Sequence, residues 1–372
     1  MPKKHPRKVR VAFRKNRGKR VRTQNVTHDA LDQSLPEPDA DSERISGKGR
    51  LTRYRTIIGV DGEGNSVQRD IDETACQAGR VLRAIGANRC DVQSLAGRIY
   101  ACTVRRVVRT LLREARNAVV AGDRVMFQPT GADAGVIERV EPRQSVFSRG
   151  TGQFEHVIAA NIEQLLIVAS AASPPLKPAL IDRFLVSAAK GGVQPIICLN
   201  KADLATPAEL QPFQDLYTGL GYPVHCTSAV QETGIERLRE QLLGKETVVG
   251  GQSGVGKSSL LNAVQAGLAL RTGHVSDDSG KGRHTTRVAE LIPLDGGGWI
   301  VDTPGIRQME LWNVPREEIE AYFVEFPRFV ADCRFPDCSH THETGCRIKL
   351  AVADGDISRL RYESYLRMFL GD

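Results

Sequence analysis

No apolar run in the 372-residue chain approaches the roughly 20 residues a helix needs to cross a bilayer, so no membrane span is expected. No apolar stretch follows the basic N-terminus, so no secretory signal is expected either. Pro2, Pro6 and a shortage of large apolar residues argue against the amphipathic helix of an import segment. Residues 1–25 contain no acid and hold eleven Lys or Arg; subtracting these from 51 leaves 40 basic residues against 44 acidic. The net charge of +7 therefore belongs to a tail, and the body is mildly acidic. That distribution points to a local polyanion contact rather than a basic fold. A disulfide framework is not expected in a long chain with no signal. Five cysteines are scattered (Cys76, Cys90, Cys102, Cys198, Cys226) and three are clustered (Cys333, Cys338, Cys346). A reducing, cytoplasmic setting and a metal site fit better.

A chain this long implies more than one core. Residues 1–50 are basic and then acidic with few apolar side chains, and are expected to be disordered. Residues 51–78 are ambiguous. From 79 to 150, "GRVLRAIG", "RCDVQS", "RIYACTVR", "GDRVMFQP" and "GVIERVEP" read as five short strands, which suggests an N-terminal OB-like β-barrel. Such barrels often bind nucleic acid; a packing or dimerisation module is the plainer alternative. Residues 155–310 alternate strand and helix, the rhythm of a doubly wound α/β domain. Residues 311–372 read as a C-terminal α-helical domain with "PREEIEAYFVEF" and "DISRLRYESYLRMFL" as helices.

Within the α/β part, Gly251-Gln252-Ser253-Gly254-Val255-Gly256-Lys257-Ser258 matches a P-loop between a strand and a helix, with Ser259 next. Its glycines let backbone N–H groups turn around phosphate oxygens. Lys257 would reach the β and γ phosphates, and Ser258 would ligate Mg²⁺. Asp302-Thr303-Pro304-Gly305 follows a strand; the acid can support Mg²⁺ and the Gly305 N–H can meet the γ-phosphate. Asn200-Lys201-Ala202-Asp203 puts a carboxylate where guanine N1 and N2 hydrogens can pair and adenine offers no such pair. The Lys201 stem can cover the base. Thr227-Ser228-Ala229 is where a backbone N–H would meet guanine O6. Thr285 or Thr286 can complete Mg²⁺ coordination, and the spacing does not choose between them. Cys333-x4-Cys338-x-His340-x5-Cys346 suits a closed tetrahedral Zn²⁺ site of structural type, with His342 as a competing ligand.

The base reader precedes the phosphate reader, so this is the familiar GTPase order cut and rejoined: a circularly permuted P-loop GTPase domain. That order, with a preceding OB-like barrel and a Cys/His module behind it, resembles the RsgA family, circularly permuted GTPases of small-subunit maturation. "NKAD", "GQSGVGKSSLLN", "GRHTTR", "DTPG" and "CRFPDCSHTHETGC" carry the resemblance, which spans about residues 79–369. It implies guanine contacts by Asn200, Lys201, Asp203, Ser228 and Ala229, and phosphate or Mg²⁺ contacts by Gly251 to Ser259. It also implies GTP and GDP as ligands, the 30S ribosomal subunit and its 16S rRNA as partners through the barrel, and one zinc-held C-terminal domain. The basic tail lies outside the matched stretch. A monomer and no membrane partner are expected.

Many GTPases orient water with a glutamine after the D-x-x-G glycine; here that residue is Ile306. Hydrolysis by the chain alone is therefore expected to be slow, on the order of 10⁻⁴ to 10⁻² per second. His284 is the candidate for positioning water and Gln308 a weaker one. Gly254 stands where potassium-dependent relatives often carry asparagine, so potassium activation is not expected. A GTP-gated RNA-binding module and a tRNA-modification GTPase are the alternative readings.

Overall fold

The structure is a computed structural model that describes residues 7–12, 54–61, 67–69, 71–86, 88–106, 108, 119–151, 154–268, 289–302 and 314–371. The expected disorder of residues 1–50 needs one correction. Arg7–Ala12 is a strand (β1), antiparallel to β2 (Tyr54–Asp61), which in turn pairs with β3 (Val67–Arg69). Val9 and Val11 alternate with cations, a period that suits a strand, and in the register Val9 pairs with Ile57 and Lys8 with Ile58 of the β-branched β2. The rest of 1–50 lies outside the described residues.

Five strands then close on themselves: β4 (Gln77–Ile85), β5 (Arg89–Ser94), β6 (Ile99–Val104), β7 (Arg124–Pro129) and β8 (Ala134–Val140). Their order is β4-β5-β6-β8-β7, and β7 pairs back onto β4. Only β6–β8 is parallel among these pairings. This is the expected N-terminal β-barrel. Alternation fills it: Tyr100, Cys102 and Val104 point inward from β6, and Val81, Val92, Phe127 and Ile137 meet them. Gly135 is packed too closely to carry a side chain, since a Cβ there would lie 2.9 Å from both Cys102 Sγ and Phe127 Cδ2.

The hairpin of β9 (Val146–Thr151) and β10 (Phe154–Ala160) follows the barrel. Then come β11 (Gln164–Ser170), α1 (Pro178–Gly191), β12 (Gln194–Asn200), α2 (Pro207–Gly219), β13 (Val224–Cys226), α3 (Ile235–Leu242), β14 (Glu246–Gly250), α4 (Lys257–Val264), β15 (Glu290–Pro293) and β16 (Trp299–Asp302). Their sheet runs β13-β12-β11-β14-β16-β15, parallel except for β15. Every residue of β11 is buried, as a central parallel strand requires. Its Leu165, Ile167 and Ala169 face α1 and α2, and Leu166 and Val168 face α3 and α4. A single pairing, Glu290 with Arg83, carries the sheet from β15 into the barrel.

From Val314 on, the regular elements among the described residues are all helical, separated by turns. Arg316–Tyr322, expected as part of a longer α-helix, is a 3-10 helix behind Pro315. It is followed by α5 (Pro327–Val330), α6 (Arg347–Asp354) and α7 (Arg359–Leu370). Phe323, Phe326, Ile348, Ile357, Tyr365 and Met368 form their core, and Val186 of α1 belongs to it as well.

The joint between barrel and α/β domain is polar and buried. Asp123, 0% exposed, accepts from Arg143 Nε (2.7 Å) and Nη2 (2.9 Å) and from the Val120 N–H (2.8 Å). Asn161, beyond the hairpin, donates from Nδ2 to Gly122 O at 3.0 Å. Arg143→Ala strands the Asp123 carboxylate in the interior. It is expected to cost about 3–5 kcal/mol, read as a lower urea midpoint at unchanged m-value.

Candidate functional site

Asn200 ends β12 and is 1% exposed. Its Nδ2 donates to Val255 O at 3.0 Å and lies 3.5 Å from Gly256 O. Its Oδ1 accepts from Thr227 Oγ1 and from the Ala229 N–H, both at 3.3 Å. One amide thus joins the three loops that follow β12, β13 and β14. Each of these strands is parallel to its neighbour, so all three loops leave the sheet at the same edge.

Lys201 follows in the left-handed region at φ 61°. Its Nζ donates to Gly254 O at 2.7 Å and to Ser173 O at 2.6 Å. The aliphatic stem is thereby stretched from the Asn200 turn to the glycine loop. Asp203 sits in the short 3-10 turn Ala202–Leu204 with its carboxylate exposed. Ser228 is fully buried: its N–H donates to Thr233 O at 3.0 Å, and its hydroxyl accepts from the Gln231 N–H at 3.1 Å. The Ala229 N–H, expected to meet a ligand oxygen, is engaged with Asn200 by a long bond it can share.

The glycine loop has the backbone its sequence suggested. Gly251, Gly254 and Gly256 take φ of 143°, 84° and 90°. A Cβ at Gly251 would lie 2.1 Å from Val168 O, and one at Gly256 would lie 2.5 Å from Asn200 Nδ2, so neither position has room for a side chain. Lys257 opens α4, and its Nζ donates to Gly251 O and Gln252 O, each at 2.7 Å. The ammonium is held across its own loop, beside the helix N-terminus, where anionic oxygens are favoured. Val255 is buried beneath; Gln252 is half-buried, and Ser253, Ser258 and Ser259 are exposed.

Asp302 is the last residue of β16, one step beyond the Val248–Val301 pairing, so its backbone lies at the same sheet edge as Gly250. His284, Thr285, Thr286, Gly305, Ile306 and Gln308 lie outside the described residues. Ser173 and Thr227 are partners at this site that motif reading passed over. Ser173 contributes only a carbonyl, which no side-chain pattern reveals. Thr227 begins a motif weighed for its backbone rather than its hydroxyl.

A second cluster lies in the C-terminal module. The ligand atoms of Cys333, Cys338, His340 and Cys346 all fall within 4.8 Å of one another. A tetrahedron with metal–sulfur bonds of about 2.3 Å has edges of about 3.8 Å, so the set fits a zinc-sized ion. His340 turns Nδ1 inward, 3.4 Å from Cys346 Sγ and 3.7 Å from Cys333 Sγ. Its Nε2 faces Glu320 Oε2 at 2.7 Å, the carboxylate behind an imidazole that orients a metal ligand. Glu320 lies twenty residues upstream, beyond any local spacing signal. His342 is not in the cluster; its side chain is 85% exposed, with Nδ1 2.9 Å from Thr341 Oγ1. Burial, with Cys346 and Cys333 adding to it, pushes the Cys338 thiol up to about 12, and burial raises Cys346 too. Thiolates here need a cation to offset that cost.

The family model described as RsgA GTPase matches residues 140–312. The chain is 39% identical over 302 residues to the small ribosomal subunit biogenesis GTPase RsgA of Shewanella oneidensis, covering 78% of this chain and 82% of that protein. The Moorella thermoacetica protein of the same name is 42% identical over 270 residues, 73% of this chain and 89% of that one. This chain belongs to the RsgA family. Among solved structures, YjeQ from Thermotoga maritima matches this RsgA-family chain with a TM-score of 0.66 at 35% identity, covering 80% of this chain and 98% of that one. YloQ, a circularly permuted GTPase, matches at 0.61 and 26% identity over 82% and 97%. The permuted fold read from motif order is therefore this chain's fold.

Asn200→Ala is expected to leave the Val255 carbonyl and the Ala229 N–H without their buried partner, at about 1–3 kcal/mol each. Titration with a fluorescent GDP analogue should show affinity falling by roughly one to two orders of magnitude, with the folded far-UV spectrum retained.

Proposed function

We propose that this chain is a GTPase of small ribosomal subunit maturation, which binds GTP where the Asn200, Thr227–Ala229 and Gly251–Ser259 loops meet. The observation that carries the reading is the Asn200 side chain, which ties the base-reading turn to the phosphate loop although 55 residues separate them in sequence. The proteins it resembles are named for small ribosomal subunit biogenesis, and the 30S particle is the partner those names supply.

In this reading the exposed Asp203 carboxylate accepts from guanine N1 and N2, and adenine leaves it unpaired. Lys201 keeps its two carbonyl partners while its stem covers the base. Lys257 exchanges the Gly251 and Gln252 carbonyls for β and γ oxygens of GTP. Ser258 and Asp302 stand at the edge where Mg²⁺ would be held; bound there, the ion offsets phosphate charge. Water attacks the γ-phosphorus, and GDP and phosphate leave. Ile306 cannot orient that water, which favours slow turnover until the subunit completes the site. The barrel supplies contact to 16S rRNA, and exposed Arg89 and Arg124 on its wall are cations suited to phosphate. Cys333, Cys338, His340 and Cys346 would hold one structural Zn²⁺, and four protein ligands would leave no position for a catalytic water.

GTP hydrolysis measured with free 30S, 50S and 70S particles in parallel tests the reading. Stimulation by 30S over a basal rate on the order of 10⁻⁴ to 10⁻² per second is expected, with GTP and not ATP displacing bound GDP. Nucleotide-dependent 30S binding without stimulation would favour an RNA-binding module instead.

Metal analysis should return one zinc per chain, and Cys338→Ser should lose it. Strong chelation is expected to lower Tm by on the order of 5 °C as the C-terminal module loosens.

A further inference from the structure

Helix α1 belongs to two cores at once. Ile181, Phe184, Leu185 and Ala188 enter the α/β core. Val186 instead lies in the C-terminal core with Phe323, Phe326, Tyr365 and the cluster residues Cys338 and Cys346. Asp182 is four residues before Val186, so the two share a helix face.

Toward the nucleotide site, α1 touches the base of the phosphate loop. A Cβ at Gly250 would lie 2.6 Å from Phe184 Cε1, so the ring is packed onto that glycine. Leu180 and Phe184 also line a small crevice with Gly251 and Gln252. Toward the C-terminal module, Asp182 and Arg361 are each 0% exposed and paired through Oδ1 and Nη1. The Arg361 fork also holds Glu325 bidentately, at 2.7 and 3.0 Å. Tyr217 OH donates to the same Asp182 oxygen at 2.8 Å, and the guanidinium carbon lies 4.4 Å over the Phe323 ring.

A planar, fully buried fork of this kind admits one arrangement, so it sets where α1 lies against the C-terminal module. The phosphate loop rests on the other side of that helix. We propose that Asp182 and Arg361 are positioning residues for GTP: they fix α1, and through Phe184 the Gly250–Gly251 entry to the phosphate loop. The inference rests on the GTPase reading above. By linkage, nucleotide binding tightens the docking of the C-terminal module by the same factor.

A double-mutant cycle on the full chain tests it, with intrinsic GTP turnover as the readout. Slow chemistry makes KM a measure of affinity. Arg361→Lys keeps the charge but loses the fork, and Phe184→Leu removes the ring from Gly250. Each is expected to raise KM for GTP by about three- to tenfold, with kcat within about twofold and zinc content unchanged. Because both act through α1, the double variant should raise KM by at least about threefold less than the product of the two. Multiplicative effects, or an unchanged KM in folded Arg361→Lys, overturn the proposal. Should Arg361→Lys not fold, Asp182→Asn, which keeps an acceptor for Arg361 and Tyr217, takes its place with the same two outcomes. The wild-type preference for GTP over ATP reports separately on the GTPase reading, so failure of the coupling is not confused with failure of the site.

Discussion

A single buried amide organises the loops proposed to hold the nucleotide. Asn200 has two donors and one carbonyl, and it spends them on three loops that the chain presents in an unusual order. Apart from the Thr227 hydroxyl its partners are backbone groups, so the bonds depend mainly on loop position. That makes the site indifferent to chain order. What matters is that β12, β13 and β14 run parallel and end at one edge, because parallel strands deliver their following loops to the same side. Lys201 repeats the device from the next residue, reaching the glycine loop and Ser173 with one ammonium.

The permutation changes what is attached to that edge, not the edge itself. Cutting after the strand that carries Asp302 lets the chain continue from the end of that strand into the C-terminal module. It also frees the other end of the α/β domain to begin beside the barrel. The sheet tolerates this because its stability lies in side-chain layers, Leu165, Ile167 and Ala169 on one face and Leu166 and Val168 on the other, which no cut through a loop disturbs. The barrel joint combines apolar contact, Ala121 and Phe147 entering the α/β core, with a buried ion pair and a side-chain-to-backbone bond (Asp123 with Arg143, Asn161 with Gly122), and such polar bonds specify orientation better than apolar contact does.

Strand alternation and motif order carried most of the architecture. The five barrel strands were legible because each is a short run bounded by turn residues, and the α/β rhythm was legible because β11 and β12 are continuous apolar runs flanked by helical ones. The glycine loop and the Cys/His set were legible because their chemistry demands fixed spacing. Other features were not. Strand β1 lies in a segment whose composition argues for disorder, and only a partner more than forty residues away makes it a strand. Glu320 reaches His340 across a turn that no periodicity anticipates. The Ser173 carbonyl is invisible to any reading by side-chain type. The two-sided burial of α1 was illegible for a related reason: a helix facing two cores looks, in sequence, like a helix with one wide apolar face.

The C-terminal module explains why that helix must be shared. Its 58 described residues include only short helices around a few aromatic rings, and the longest, α7, has twelve residues. A unit of that size buries too little apolar surface to offset its chain entropy. Three reinforcements make up the difference. The Cys/His set gathers the two turns around Cys333–Cys338 and His340–Cys346 at one point. Tyr362 and Tyr365 tie those turns to α7 by donating to the His340 and Ser339 carbonyls at 2.7 and 2.9 Å. Val186 and Asp182 then lend it part of the larger domain's wall. Borrowing of that kind carries a consequence: the module cannot shift without moving α1, and α1 cannot move without disturbing the glycine on which its phenylalanine rests. A small domain stabilised against a helix beneath the phosphate loop is, by the same contacts, mechanically joined to it.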